Sequence, residues 1–147
     1  MNSRSDTPSP LKDRRILIID GDPASAKLIQ AVLEGEGCHL RVASTGKEAL
    51  IAVLAFRPEL ILIELAVSDL TGLDLVRLVK GDVSTSATVI VAVTALNGPE
   101  TRRRALEAGC ADYVRKPIAA LTFAARLKSL LGQALGSDTT SNRGIDE

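Results

Sequence analysis

The sequence predicts an α/β domain built on a doubly wound, five-stranded parallel sheet, and three observations carry that prediction. Short runs of Ile, Leu and Val alternate five times with amphipathic stretches of about ten residues or more. The short runs are apolar at successive positions, the pattern of strands covered by helices on both faces rather than wetted on one. Finally, 147 residues fit one domain of ordinary size with a continuous core.

The elements follow in order. Ile16–Ile19 reads as the first strand. Asp22 is placed as an N-cap with Pro23 at the first helical position, and that helix ends near Gly35–Gly37. Leu40–Ala43 is the second strand, followed by a helix over 46–56; Leu60–Ile63 is the third, followed by a helix over 72–80. Val89–Val93 precedes a helix over 99–108 closed by Gly109, and the short Tyr113–Val114 run precedes a helix over 119–135. Strict alternation requires crossover connections, which are right-handed. The flanks, residues 1–12 and 136–147, are polar and aperiodic and read as disordered tails, leaving a domain at 13–135.

Composition excludes several functions. Eighteen basic residues balance eighteen acidic ones, so no overall field draws the chain to nucleic acid or an anionic membrane. Three aromatics, Phe56, Tyr113 and Phe123, are too few for a base-stacking platform. A single histidine, His39, cannot build a multi-histidine metal site, and no Ser/His/Asp arrangement surrounds it. Cys38 and Cys110 form no C-x-x-C pair, and the N-terminal residues lack the apolar stretch of a signal peptide, so a cytoplasmic, reducing location is expected. The longest apolar run, Ala49 to Phe56, is far short of the roughly 20 residues that span a bilayer.

In such sheets ligands bind beyond the carboxyl ends of the strands, where strand order reverses. The first run leads into Asp20, the third into Glu64, the fourth into Thr94, and Lys116 follows the fifth. Each has a bland explanation alone: Asp20 begins a turn, Asp22 caps a helix, Thr94 bonds a loop backbone. Together on one edge they point to a site for metal and phosphate, or the remnant of one. Other phosphate motifs fail. Gly35-Glu36-Gly37 ends a helix and has Leu40 where a third glycine belongs; Thr45-Gly46-Lys47 lacks the upstream glycine of a P-loop and is followed by Glu48.

These residues resemble the receiver domain of two-component response regulators over about 14–135. ILIIDGDPAS is similar to the family's strand-1 acidic turn, RPELILIELAVSDLTGLDLV to its phosphoacceptor strand and loop, VIVAVTA to its fourth strand, and RALEAGCADYVRKPI to the stretch entering strand five. Gly72, Thr94 and Lys116 lie 8, 30 and 52 residues after Glu64, in agreement with the family spacing. The resemblance implies a flavodoxin-like fold of strand order 2-1-3-4-5. It also implies an Asp at the end of strand three that accepts a phosphoryl group, with Mg²⁺ offsetting charge and a Lys and Thr binding the phosphoryl oxygens.

Two departures alter that expectation. Glu64 stands at the acceptor position and Gly21 at the direct metal-ligand position; Asp20 aligns with the first acid of the turn and Asp22 with the third. A hard cation losing a carboxylate ligand binds more weakly. One extra methylene carries the Glu64 carboxylate about 1.5 Å further out, which favours pairing with Lys116 over in-line attack. The expected function is therefore a stand-alone, atypical receiver working through phosphorylation-independent contact with a histidine kinase or downstream target. No cofactor is expected; a weak Mg²⁺ held by Asp20, Asp22 and Glu64, with phosphorylation retained, is the first alternative. The second, a flavodoxin-like cofactor domain, lacks a phosphate-cradling loop and a placed aromatic.

The family's switch pair is retained as Thr94 and Tyr113. By the same resemblance, helix four, strand five and helix five offer Arg102, Arg103, Arg104, Asp112, Arg115 and Arg126 for a homodimer or target, with Asp112 and Arg126 at positions that pair across dimers. The second helix is apolar nearly all round, and Ile51, Leu54 and Ala55 fall at i, i+3, i+4 on the side the family usually fills with charge, which suggests a partner contact, a close-packed tail being the alternative cover.

Overall fold

The computed structural model describes residues 9–67 and 71–145. Five strands, β1 (Arg15–Ile19), β2 (His39–Ala43), β3 (Leu60–Ile63), β4 (Val89–Thr94) and β5 (Asp112–Arg115), form one sheet. Its order is β2-β1-β3-β4-β5, and every pairing is parallel. Helices α1 (Pro23–Leu33), α2 (Gly46–Phe56), α3 (Gly72–Gly81), α4 (Pro99–Ala108) and α5 (Ala120–Ile145) make the crossovers. Strand side chains alternate between two cores. Leu17, Ile19, Ile61, Ile63, Ile90 and Ala92 pack with α2, α3 and α4, while Ile16, Ile18, Leu60, Leu62, Val91 and Val93 pack with α1 and α5. Burial on both faces explains why β3 reads LILI with no polar position.

Local chemistry sets the helix starts. Asp22 accepts from the Ala24 amide, Thr45 from Glu48 and Thr71 from Asp74, each satisfying an otherwise orphan donor of the first turn. Gly72 is required by proximity: a Cβ there would lie 2.5 Å from Leu65 Cα, because the α3 N-terminus rests on the β3–α3 loop.

Two boundaries differ from expectation. Residues 9–12 are not a tail: they form a turn that plugs the fully buried Leu11 beneath α1 and α5, in the cluster of Leu33, Phe123 and Leu127. A single leucine in a polar segment lacks the periodicity that marks core residues, yet burying it is worth about 2 kcal/mol. The remaining residues of that expected tail, 1–8, lie outside the described residues. α5 continues through 136–145, where a disordered tail was expected. No proline interrupts the segment, and once nucleated a helix gains one hydrogen bond for each residue added. Residues 146–147 lie outside the described residues.

Candidate functional site

The carboxyl edge of the sheet is assembled by continuing the ladders one residue past each strand. The Asp20 amide donates to the Ala43 carbonyl, that of Glu64 to Ile19, and that of Lys116 to Thr94, at 3.0, 2.8 and 2.9 Å. Asp20, Glu64, Thr94 and Lys116 are thereby brought into one crevice, as the sequence predicts.

Their side chains close on one another. Lys116 Nζ lies 2.8 Å from Asp20 Oδ2 and 2.8 Å from Glu64 Oε1. The Thr94 hydroxyl donates to Glu64 Oε2, which also accepts from the Ala66 amide at 3.1 Å. Asp20 Oδ1 accepts from the Asp22 amide at 2.9 Å. All three polar residues lining the floor are largely withdrawn from solvent: Thr94 is fully buried, and the Asp20 and Glu64 side chains are 3% and 11% exposed. Burial alone pushes the Lys116 ammonium towards deprotonation, but the hydrogen bonds and charges of Asp20 and Glu64 outweigh it and hold its pKa above the ordinary value.

A family model described as the response regulator receiver domain matches residues 16–128, which is most of the chain. The chain belongs to the response regulator receiver family. The DNA-binding response regulator MtrA of Mycolicibacterium smegmatis is 36% identical over 118 residues, covering 80% of this chain and 50% of the relative. Response regulator PleD of Caulobacter vibrioides is 33% identical over 116 residues, 79% of this chain and 26% of its own length. This receiver thus spans half or less of these curated relatives. Among solved structures, a two-component response regulator from Clostridium difficile superposes with a TM-score of 0.77 at 28% identity, over 82% of this chain and 97% of the other. A CheY-like receiver domain protein from Methanospirillum hungatei gives 0.78 at 25% identity, over 84% and 98%. The receiver family serves two-component signalling, a module that relays signals rather than a class of enzymes.

The Mg²⁺ that such a site implies meets a poor donor set here. Every oxygen of Asp20 and Glu64 already accepts from a protein donor. Asp22 is exposed and turned onto α1 as its cap, so it does not join the acidic pocket with Asp20. Gly21 offers no side chain, and a Cβ there would sit 3.1 Å from the Ser44 carbonyl. Among the described residues no group of three or more His, Cys, Asp or Glu side chains is arranged to hold a metal ion. The residues present do not fit a cation that demands near-octahedral oxygen ligation.

Thr94 and Tyr113, the pair that the resemblance implies as a switch, are tied together by a residue that sequence reasoning missed. Leu96 donates its amide to Thr94 Oγ1 at 3.1 Å and accepts the Tyr113 hydroxyl at its carbonyl. Tyr113 is buried, and burial holds its phenol above its ordinary pKa. Leu96 and Ala66 act through backbone groups, which leave no signature in side-chain type.

Asp112 and Arg126, expected at positions that pair across dimers, pair with each other inside one chain. Arg126 Nε is 2.6 Å from Asp112 Oδ2, and its second nitrogen reaches both Asp112 Oδ1 and the Tyr113 carbonyl. β5 and α5 are adjacent, so the fork fits within the fold. Of the arginine run on α4, Arg103 is held by Glu100 and Glu107 at 2.5 Å each and Arg104 by Glu100 at 3.3 Å, while Arg102 is exposed, as is Arg115 at the end of β5. Ile51, Leu54 and Ala55 are exposed together on α2. Among the described residues no helix is long and apolar enough to cross a membrane.

Proposed function

We propose that this receiver works as a phosphorylation-independent protein-interaction module in two-component signalling, with a histidine kinase or a downstream target as its partner. One observation carries the reading: the Lys116 ammonium is shared by Asp20 and Glu64 at 2.8 Å each. Lys116 and Thr94, the groups that would bind phosphoryl oxygens, are both engaged by Glu64. The carboxylate takes the place of an incoming phosphoryl group, and through Thr94 and Leu96 it fixes Tyr113 in its buried position. Metal has no part in this reading, nor does group transfer. The balanced charge of the chain favours a protein over nucleic acid as direct partner, although some relatives are named as DNA-binding.

Titration with Mg²⁺ plus beryllofluoride or a small phosphodonor, followed by amide spectra, tests the proposal. No saturable change near residues 64, 94 and 116 is expected. Saturable shifts there would instead favour a phosphorylatable receiver with a displaced metal. The pair Gly21→Asp and Glu64→Asp restores metal binding in this reading, provided the Ser44 carbonyl yields a few tenths of an ångström.

A further inference from the structure

The inner faces of α2 and α3 already fill the core with Ala49, Ala52 and Val53, and with Leu75, Val76 and Val79. Both helices nevertheless present large apolar side chains to water. Ile51, Leu54 and Leu78 are 61%, 71% and 54% exposed, and Val83, just past α3, is 93% exposed. Leu50, Leu54 and Leu78 wall a hollow of about 350 Å³ between the two helices, over Val53 and Val79. Isolated apolar groups on a surface need no explanation; a patch continuous across two helices and concave between them does.

Leu54 also borders a second hollow, of about 200 Å³, lined by Arg15 and Arg57. Arg14, Arg15 and Arg57 share this corner with Glu59, which Arg14 holds at 2.8 Å and Arg15 at 3.6 Å. Among the described residues Arg57 forms no ion pair, so the corner keeps an excess of positive charge. Asp82, on the rim of the apolar hollow, accepts from the Ser84 amide and hydroxyl at 2.9 Å each, which holds it ionised; it offsets part of this excess, leaving three arginines against two carboxylates.

We infer that this seam docks an acidic amphipathic helix of another protein. Its apolar stripe enters between Leu54 and Leu78, and its carboxylates meet Arg57 and Arg15. Two neighbouring helices with a hollow between them suit a helix laid alongside, and the unbalanced arginines select its charge. A second copy of this chain is a poor match. Its exposed leucines outside the seam are Leu28 in α1, Leu96 before α4 and Leu121 in α5; neither α1 nor α5 through residue 133 contains a carboxylate, and the α4 carboxylates nearest Leu96 in sequence, Glu100 and Glu107, are already held by Arg103 and Arg104.

The probe is a capped 18-residue peptide of Leu and Glu, with Leu at i, i+3, i+4 and i+7, compared with a partner peptide carrying Lys for Glu. Titrated into the isotope-labelled full chain, the Glu peptide is expected to shift amides at 50–57 and 78–85 saturably, and the Lys peptide to bind at least about fivefold more weakly. Leu54→Glu and Arg57→Glu each weaken the Glu peptide by about tenfold, while their amide spectra otherwise overlay the parent. Equal binding of both peptides, shifts centred elsewhere, or no saturable shift overturns the inference. So does concentration-dependent self-association in sedimentation that Leu54→Glu abolishes, which would assign the seam to a second copy. Glu64→Gln is expected to leave peptide binding unchanged, so failure at the seam is separable from failure of the reading of the crevice.

Discussion

Lys116 serves two buried carboxylates at once, so its loss costs more than the loss of either acid. Lys116→Met leaves Asp20 and Glu64 facing each other without a cation and is expected to cost about 3 kcal/mol. Glu64→Gln keeps a group able to accept from Thr94 and Ala66, and is expected to cost about 1 kcal/mol. Urea midpoints of the two variants give the order. The pairing of Glu64 with Lys116 was legible in the sequence, because strand ends converge on one edge and glutamate reaches further than aspartate. The share taken by Asp20 and the contact from Thr94 were not, since they depend on rotamers that the neighbours select jointly. Leu11 was hidden for another reason, its lack of any periodic neighbour. Leu11→Ala is expected to lower stability by about 2–4 kcal/mol in the same assay, whereas a true tail residue would cost nothing measurable.

Elements were read best where a local signal marks their ends. α2 and α4 have the expected bounds, and α3 runs one residue longer. Asp22 with Pro23 announces α1, its carboxylate capping the amide two residues on, while Thr45 and Thr71 cap the amides three residues on at α2 and α3. At α5 the polar run opening with Gly136 predicts an end, but the helix continues past it to Ile145. The start of α3 also depends on the bare backbone of Gly72. Gly72→Ala drives a methyl group into the Leu65 main chain, so α3 must lift from the β3–α3 loop. A loss of about 2–3 kcal/mol is expected by thermal or urea unfolding, with amide shifts concentrated at 64–67 and 72–76.

Alkaline pH attacks the molecule at several points, with Cys38 and Tyr113, both raised by burial, adding to Cys110 and Lys116. Burial pushes the Cys110 thiol up to about 11, so above the ordinary thiol pKa the unfolded chain ionises while the folded one does not. Stability therefore begins to fall near pH 9, by about 2 kcal/mol at pH 11 from this group alone. Lys116 follows at higher pH. Its raised pKa makes its contribution complete below the unfolded value and lost as pH rises through the folded one. Cys110→Ala is expected to lessen the decline between pH 9 and 11, measured as urea stability over that range. The division of the core into two faces also sets an order in time. The face under α2, α3 and α4 is complete once Tyr113 has been made, but the face under α1 and α5 joins Leu11, near the beginning of the chain, to Leu131. At a synthesis rate of about 5–20 residues per second, one side of the sheet waits on the order of a second or more after the other for its cover. During that interval β1 and β3 hold half of their side chains ready for a helix that does not yet exist.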